Sequence, residues 1–217
     1  MGRNLEKDAI EMAAKNQRIL ENGLKIFAER TIEKVKMSEV ADAAGIGVAS
    51  LYRYYSTKPA LVLGIGTWMW EEFTKNHIGE KQSGENFQNM TGSEAFEVYL
   101  DSYIDLYKNH SDMLRFNQFL NVYLKSEDIS EDEKNPYLDV IGEIEKRFEI
   151  IYKKGKKDGT LRGDLSAKEM FSATLHLMMA AVTRYAVGLA YNAGGDAEEK
   201  ELSLLKEMMM DKFTVGR

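Results

Sequence analysis

Cysteine is absent from the 217 residues. That excludes disulfides and thiolate metal sites, and it suits a reducing compartment. Proline occurs twice, at Pro59 and Pro136. No segment alternates Val, Ile or Thr with polar residues. With runs rich in Ala, Glu, Lys, Leu and Met, this excludes a sheet protein and predicts an all-α fold. Long apolar runs are missing too. The most apolar stretch, Met170 to Tyr191, carries His176 and Arg184, so no membrane span is expected. The opening MGRNLEKDAIEMAAKN is too polar for a secretory signal, and a cytoplasmic location is expected. Histidine is scarce: His77, His110 and His176 are far apart, and none has a His or Glu partner at metal-ligand spacing. No glycine-rich phosphate loop occurs. No catalytic residue, metal, cofactor or enzymatic activity is therefore expected.

What is present is unevenly charged. The net charge is −6. Met1 to Lys58 holds 10 Lys+Arg against 8 Asp+Glu, and the remainder holds 19 against 27. The first part is mildly basic and the rest acidic. So slight a positive balance cannot hold phosphate by bulk charge; it needs positioned contacts and two copies.

Helical periodicity runs through the chain. Ile10, Ala13, Gln17, Leu20, Leu24 and Phe27 share one face of a first helix ending near Glu29. A second helix starts near Met37 and stops at Gly45, a residue suited to a left-handed helix end. A third runs from Val48 to about Tyr55. A fourth begins at Lys58, capped by Thr57, with Leu61, Ile65, Trp68, Met69 and Phe73 on its buried face. Gly79 to Gly92 reads as a loop, and so does the acidic SEDISEDEKN, Ser126 to Asn135. Between them lie helices carrying Phe96 to Tyr107 and Asp112 to Lys125. A further helix, Pro136 to about Lys157, turns Leu138, Ile141, Ile144, Phe148, Ile151 and Tyr152 inward. After a turn at Gly155 to Ser166, Ser166 and Glu169 form a capping box. The helix they open is apolar on two sides, as if facing a core and a second subunit. The last helix spans Glu198 to Phe213. About nine helices are expected.

Lys36 to Leu61, KMSEVADAAGIGVASLYRYYSTKPAL, is the most telling segment. Two short helices joined by a tight Gly-containing turn form a helix-turn-helix, which lays its second helix in the DNA major groove. Arg18 to Leu61 resembles the N-terminal domain of the tetracycline-repressor (TetR) family of transcriptional regulators: RILENGLKIFAER, then MSEVADAAGIGVASLYRYYSTKPAL. The turn GTLRGDLS before a long apolar helix is similar too. Four positions depart from the family pattern, the first being Gly23, which replaces a usual Ala and weakens the first helix by up to about 1 kcal/mol. Thr31 replaces a Gly, so the first helix is expected to end differently. Lys36 replaces a capping Thr. Val48 stands where a cation or proline is usual, which leaves the third helix poor in base-reading cations.

The resemblance implies a three-helix DNA-binding domain over residues 1–58 and a helical ligand-binding and dimerisation domain over 59–217. Roles follow from side-chain chemistry. Arg53 suits a guanine edge, Ser50 can donate or accept, and Val48 and Ala49 suit thymine methyls. Lys36, Tyr52, Tyr54 and Lys58 suit the phosphate backbone. In the family the second domain encloses a ligand cavity. The candidates here are Trp68, Phe73, Tyr103, Tyr107, Phe116, Asn117, Phe119, Tyr123, Phe148, Tyr152, His176, Met178 and Met179, a set suited to a lipophilic or aromatic effector. The expected partners are a palindromic double-stranded operator, a small-molecule effector, and a second copy joined through helices near 166–191 and 198–213. The competing reading is a helical ligand-binding dimer with weak or lost DNA binding.

Overall fold

The computed structural model describes residues 5–79, 85–190 and 196–216. Tyr191, assigned above to the two-sided helix, lies outside them, as does part of the Gly79 to Gly92 loop. The described elements are α1 (Leu5–Arg30), α2 (Met37–Ala43), α3 (Val48–Tyr54), α4 (Lys58–Phe73), a π-helical segment (Thr74–Gly79), α5 (Glu85–Asn89), α6 (Gly92–Asn109), α7 (Ser111–Ser126), α8 (Glu131–Asp158), α9 (Ala167–Val187) and α10 (Asp196–Phe213). An isolated antiparallel bridge joins Leu161 and Thr214. The described residues are therefore all-α, with a helix-turn-helix at α2 and α3.

Two compact units emerge: Met1–Met69 with Arg115–Tyr137, and Trp70–Leu114 with Leu138–Arg217. The division does not follow residue 58. The N-terminal unit includes most of α4, and it takes in the greater part of α7 and the start of α8.

In the N-terminal unit α1 buries Ile19, Leu20, Leu24 and Phe27. Met37, Val40 and Ala41 of α2 and Leu51 of α3 join this core. Leu61, Val62, Leu63 and Ile65 are all buried, so this part of α4 hides more than one face. Phe116 of α7 stacks on Phe27 with centroids 6.3 Å apart. Such pairs are worth about 1 kcal/mol beyond the area they bury.

The second unit is built around α6, which buries Phe96, Tyr99, Leu100, Tyr103 and Leu106. Phe96 meets Phe148 of α8 at 6.1 Å and Phe213 of α10 at 6.0 Å, edge to face. Phe148 meets Phe171 of α9 at 5.5 Å. The start of α6 is held by Thr91, whose Oγ1 accepts from the Glu94 N–H. The Gly92 N–H donates to Asp158 Oδ2 (2.7 Å) and the Ser93 N–H to Thr160 Oγ1 (2.9 Å). Three donors left open by a helix start are thereby satisfied.

Four local expectations are corrected. Glu85–Asn89, inside the expected loop, is helical. The acidic loop ends early, because α8 starts at Glu131. Ser130 Oγ accepts from the Glu133 N–H, and the Ser130 N–H donates to the Glu133 carboxylate, so the segment carries its own capping box. Pro136 then sits inside the helix at the loss of one backbone hydrogen bond. Leu138 is 48% exposed, and the buried row is Tyr137, Val140, Ile144, Phe148 and Ile151. Finally, Thr31 does adopt the left-handed conformation of the glycine it replaces, at φ 68°. Its N–H reaches the Phe27 carbonyl at 3.0 Å, so α1 closes on a left-handed, strained residue.

Candidate nucleic-acid interface

The start of α2 is fixed by charge. Glu39 accepts the Lys36 N–H at 2.8 Å and pairs with Arg30 at 2.7 Å. The Lys36 N–H and the Arg30 guanidinium together hold the Glu39 carboxyl below its usual range. The Lys36 side chain supplies no cap oxygen, and it is exposed at the head of α2. The turn closes through Ile46 N–H to the Ala41 carbonyl (3.0 Å), with Gly45 at φ 66°. That conformation is nearly free for glycine and costly for a side chain.

α3 then starts from Gly47, whose carbonyl accepts from Ser50 (2.8 Å) and Leu51 (3.1 Å). Leu51 is its single buried residue. Val48, Ala49, Tyr52 and Arg53 are exposed. Residues spaced one, four and five apart share one side of a helix, so these four form one outward face. Ser50 is half-buried beside it.

Two of the candidates sit otherwise. The Tyr54 hydroxyl donates to the Met12 carbonyl of α1 at 3.3 Å. In this arrangement the hydroxyl faces α1. The Lys58 ammonium lies 3.4 Å from the Glu33 carbonyl. Burial lowers its pKa, while Glu33, Glu127 and Glu39 act in the opposite direction. Lys58 is thus partly engaged at its own helix start. Thr57 Oγ1 caps that start, accepting the Ala60 N–H at 3.1 Å.

The thirteen ligand candidates do not gather in one unit. Trp68, Phe116, Asn117, Phe119 and Tyr123 belong to the N-terminal unit, and the other eight to the second. Trp68 and Phe119 are half-buried. Asn117 Oδ1 accepts from the Tyr137 hydroxyl at 3.4 Å. Burial, with Glu127 and Glu33, pushes the Tyr123 hydroxyl up to about 12.

In the second unit Phe73, Tyr103, Phe148 and Met178 are buried, whereas Tyr107, Tyr152 and Met179 are half-buried. Tyr103 and Tyr99 share a hydroxyl hydrogen bond, and burial raises both phenols. Tyr152 donates to the Leu165 carbonyl at 2.5 Å. Tyr107 donates to buried Glu198 and is pushed up to about 12 by burial and by that carboxylate. His176 is the exception. It is exposed, with Nδ1 3.4 Å from Ser172 Oγ. It belongs to the outer side of α9 with Leu177, not to the aromatic core. Leu177 and Val187 on α9 and Leu204 and Met208 on α10 are 47–57% exposed. Among the described residues no group of three or more His, Asp or Glu could hold a metal ion. No described helix is long and apolar enough to cross a membrane.

Comparison with known proteins places the segment just described. Residues 19–65 match the family "bacterial regulatory proteins, tetR family". The HTH-type transcriptional regulator SAB2452 of Staphylococcus aureus (strain bovine RF122 / ET3-1) is 40% identical over 57 residues, 26% of this chain. The match spans 29% of that relative's length. Among solved structures, a putative TetR-family regulator from Vibrio parahaemolyticus superposes with TM-score 0.67 at 16% identity, covering 93% of this chain and 100% of that one. The regulator FadR from Bacillus subtilis, solved with stearoyl-CoA, gives TM-score 0.67 at 13% identity over 90% and 95% of the two chains. At these identities the structural likeness concerns the fold.

Proposed function

Because the chain belongs, through its helix-turn-helix segment, to the tetR family of bacterial regulatory proteins, we propose that it is a ligand-responsive repressor that binds a palindromic operator as a homodimer. The observation that carries this reading is the one-sided face of α3. Val48, Ala49, Tyr52 and Arg53 are exposed while Leu51 anchors the helix. Arg53 addresses guanine, Ser50 an adjacent polar edge, and Val48 and Ala49 thymine methyls. Lys36 and Tyr52 hold phosphates. Lys58 joins them by leaving the Glu33 carbonyl, and Tyr54 serves the frame.

Arg53 is the one cation of α3. A single half-site then offers few contacts, so two copies are needed. The exposed aliphatic residues of α9 and α10 supply the surface for pairing. The paired subunits set two α3 helices about 34 Å apart, one turn of the duplex.

An apolar or aromatic effector enters among the rings of the second unit. FadR of Bacillus subtilis binds stearoyl-CoA, which supports a lipophilic effector class here. The effector releases DNA only by binding one conformation more tightly than the other. A fluorescence-anisotropy titration on the DNA upstream of the chain's own gene, with random competitor, tests the DNA reading. Binding that survives the competitor supports it. Failure there and in selection from a random duplex library overturns it in favour of a ligand-binding dimer without DNA recognition.

A further inference from the structure

We infer that the first half of α1 is a brace for the recognition helix α3, with Asn16 as its positioning residue. The family match begins at residue 19, but α1 begins at Leu5. From Glu6 to Arg18 every side chain is exposed or half-buried. This stretch adds almost nothing to the apolar core, and an isolated helix of that length is marginal in water.

Two hydrogen bonds tie this stretch to the end of α3. The Tyr54 hydroxyl donates to the Met12 carbonyl at 3.3 Å. The Tyr55 hydroxyl donates to Asn16 Oδ1 at 2.9 Å. Tyr55 is the residue that closes α3. Its ring is seated on α4 at Gly64, where a β-carbon would lie 2.6 Å from Tyr55 Cε1. The ring is therefore gripped between α1 and α4. Burial raises the Tyr55 phenol, so it keeps its proton and donates throughout the neutral range.

The grip matters because α3 is short. It has seven residues and one buried side chain, Leu51. One buried anchor fixes where a helix sits but leaves its rotation weakly defined. The Tyr55 hydroxyl on Asn16 supplies a second fixed point. Together they aim Val48, Ala49, Tyr52 and Arg53. Asn16 touches no base in this scheme; it acts through Tyr55.

The inference rests on the DNA-binding reading, and its test keeps the two apart. The full-length chain first enriches a duplex from a random library. Asn16→Ala, Tyr55→Phe and the double variant are then titrated on that duplex and on a shuffled duplex of equal length. Alanine is a strong helix former, so α1 itself is preserved. Each single variant is expected to lose about threefold to tenfold in the ratio of specific to shuffled affinity, the worth of one hydrogen bond. The double variant should lose no more than either alone. In the free protein, amide hydrogen exchange at Tyr54 and Tyr55 should quicken by a similar factor in Asn16→Ala. An unchanged affinity ratio overturns the positioning role, even if exchange quickens. Equal losses on both duplexes overturn it as well. If the parent chain enriches no duplex, the DNA reading falls, and the exchange rates alone decide whether the brace exists.

Discussion

The recognition helix and the outer side of α9 and α10 both leave apolar residues in solvent, but in different company. On α3 the exposed aliphatics, Val48 and Ala49, share their face with Tyr52 and Arg53. A mixed face suits a polar, charged duplex whose only apolar feature is the thymine methyl. On α9 and α10, Leu177, Val187, Leu204 and Met208 are large and aliphatic. Such residues gain most when another protein surface covers them. The contrast teaches that exposure alone identifies no partner; the chemistry of the neighbours does.

The contrast breaks most visibly if the aliphatic side is charged. Leu177→Glu with Met208→Glu would bury unpaired carboxylates in the proposed subunit contact. The expected result is a monomer in light scattering. Operator affinity should fall on the order of a thousandfold, to the level of non-specific binding. A double variant that remains dimeric would refute this assignment of the surface. Next in size is Arg53→Ala. It should cost about 1–3 kcal/mol on the enriched duplex and relax preference at one base position. Lys58→Ala should do less, because the ammonium already has the Glu33 carbonyl. Its loss should be uniform across sequences and lower the salt slope by about 1 per half-site. Equal effects of the two variants on specific and random DNA would erase the base-versus-phosphate distinction. Smallest is Thr31→Gly, which touches neither surface. Releasing the left-handed strain at φ 68° should stabilise the fold by about 1 kcal/mol, read as a higher melting temperature. DNA affinity should not move, which separates frame from contact.

Much of this was legible in the sequence where the physics is local. Gly45 ending α2, Thr57 capping α4 and Ser166 with Glu169 opening α9 each depend on residues within a few positions. The face of α3 was legible for the same reason, since a short helix anchored by Leu51 has only one side left to show. The start of α8 carried the same kind of signal. Ser130 and Glu133 have capping-box spacing, but the acidic surroundings and Pro136 obscure it.

Tertiary choices were not legible. Apolarity points to Leu138 and spacing to Tyr137, seven and eleven residues before Ile144 and Phe148; the structure follows the spacing. Tyr54 and Tyr52 look alike in sequence, yet one is turned to the Met12 carbonyl. The aromatic residues read as one lining, yet they fall in two units, because α7 contributes Phe116 and Tyr123 to the unit that contains α3. Asn16, one polar residue among many on α1, carried no signal at all without its partner Tyr55.

The helix starts have a consequence for how the chain acquires its shape. Lys36 with Glu39, Thr91 with Glu94, Ser130 with Glu133 and Ser166 with Glu169 each close over three residues. Contacts that short require almost no loop closure. They are open to a growing chain long before Phe27 can find Phe116 or Phe96 can find Phe213. The most expensive step in making a helix is its first turn. At four of its helices this protein has written that step into the nearest side chains, so its long-range contacts need only select among helices already begun.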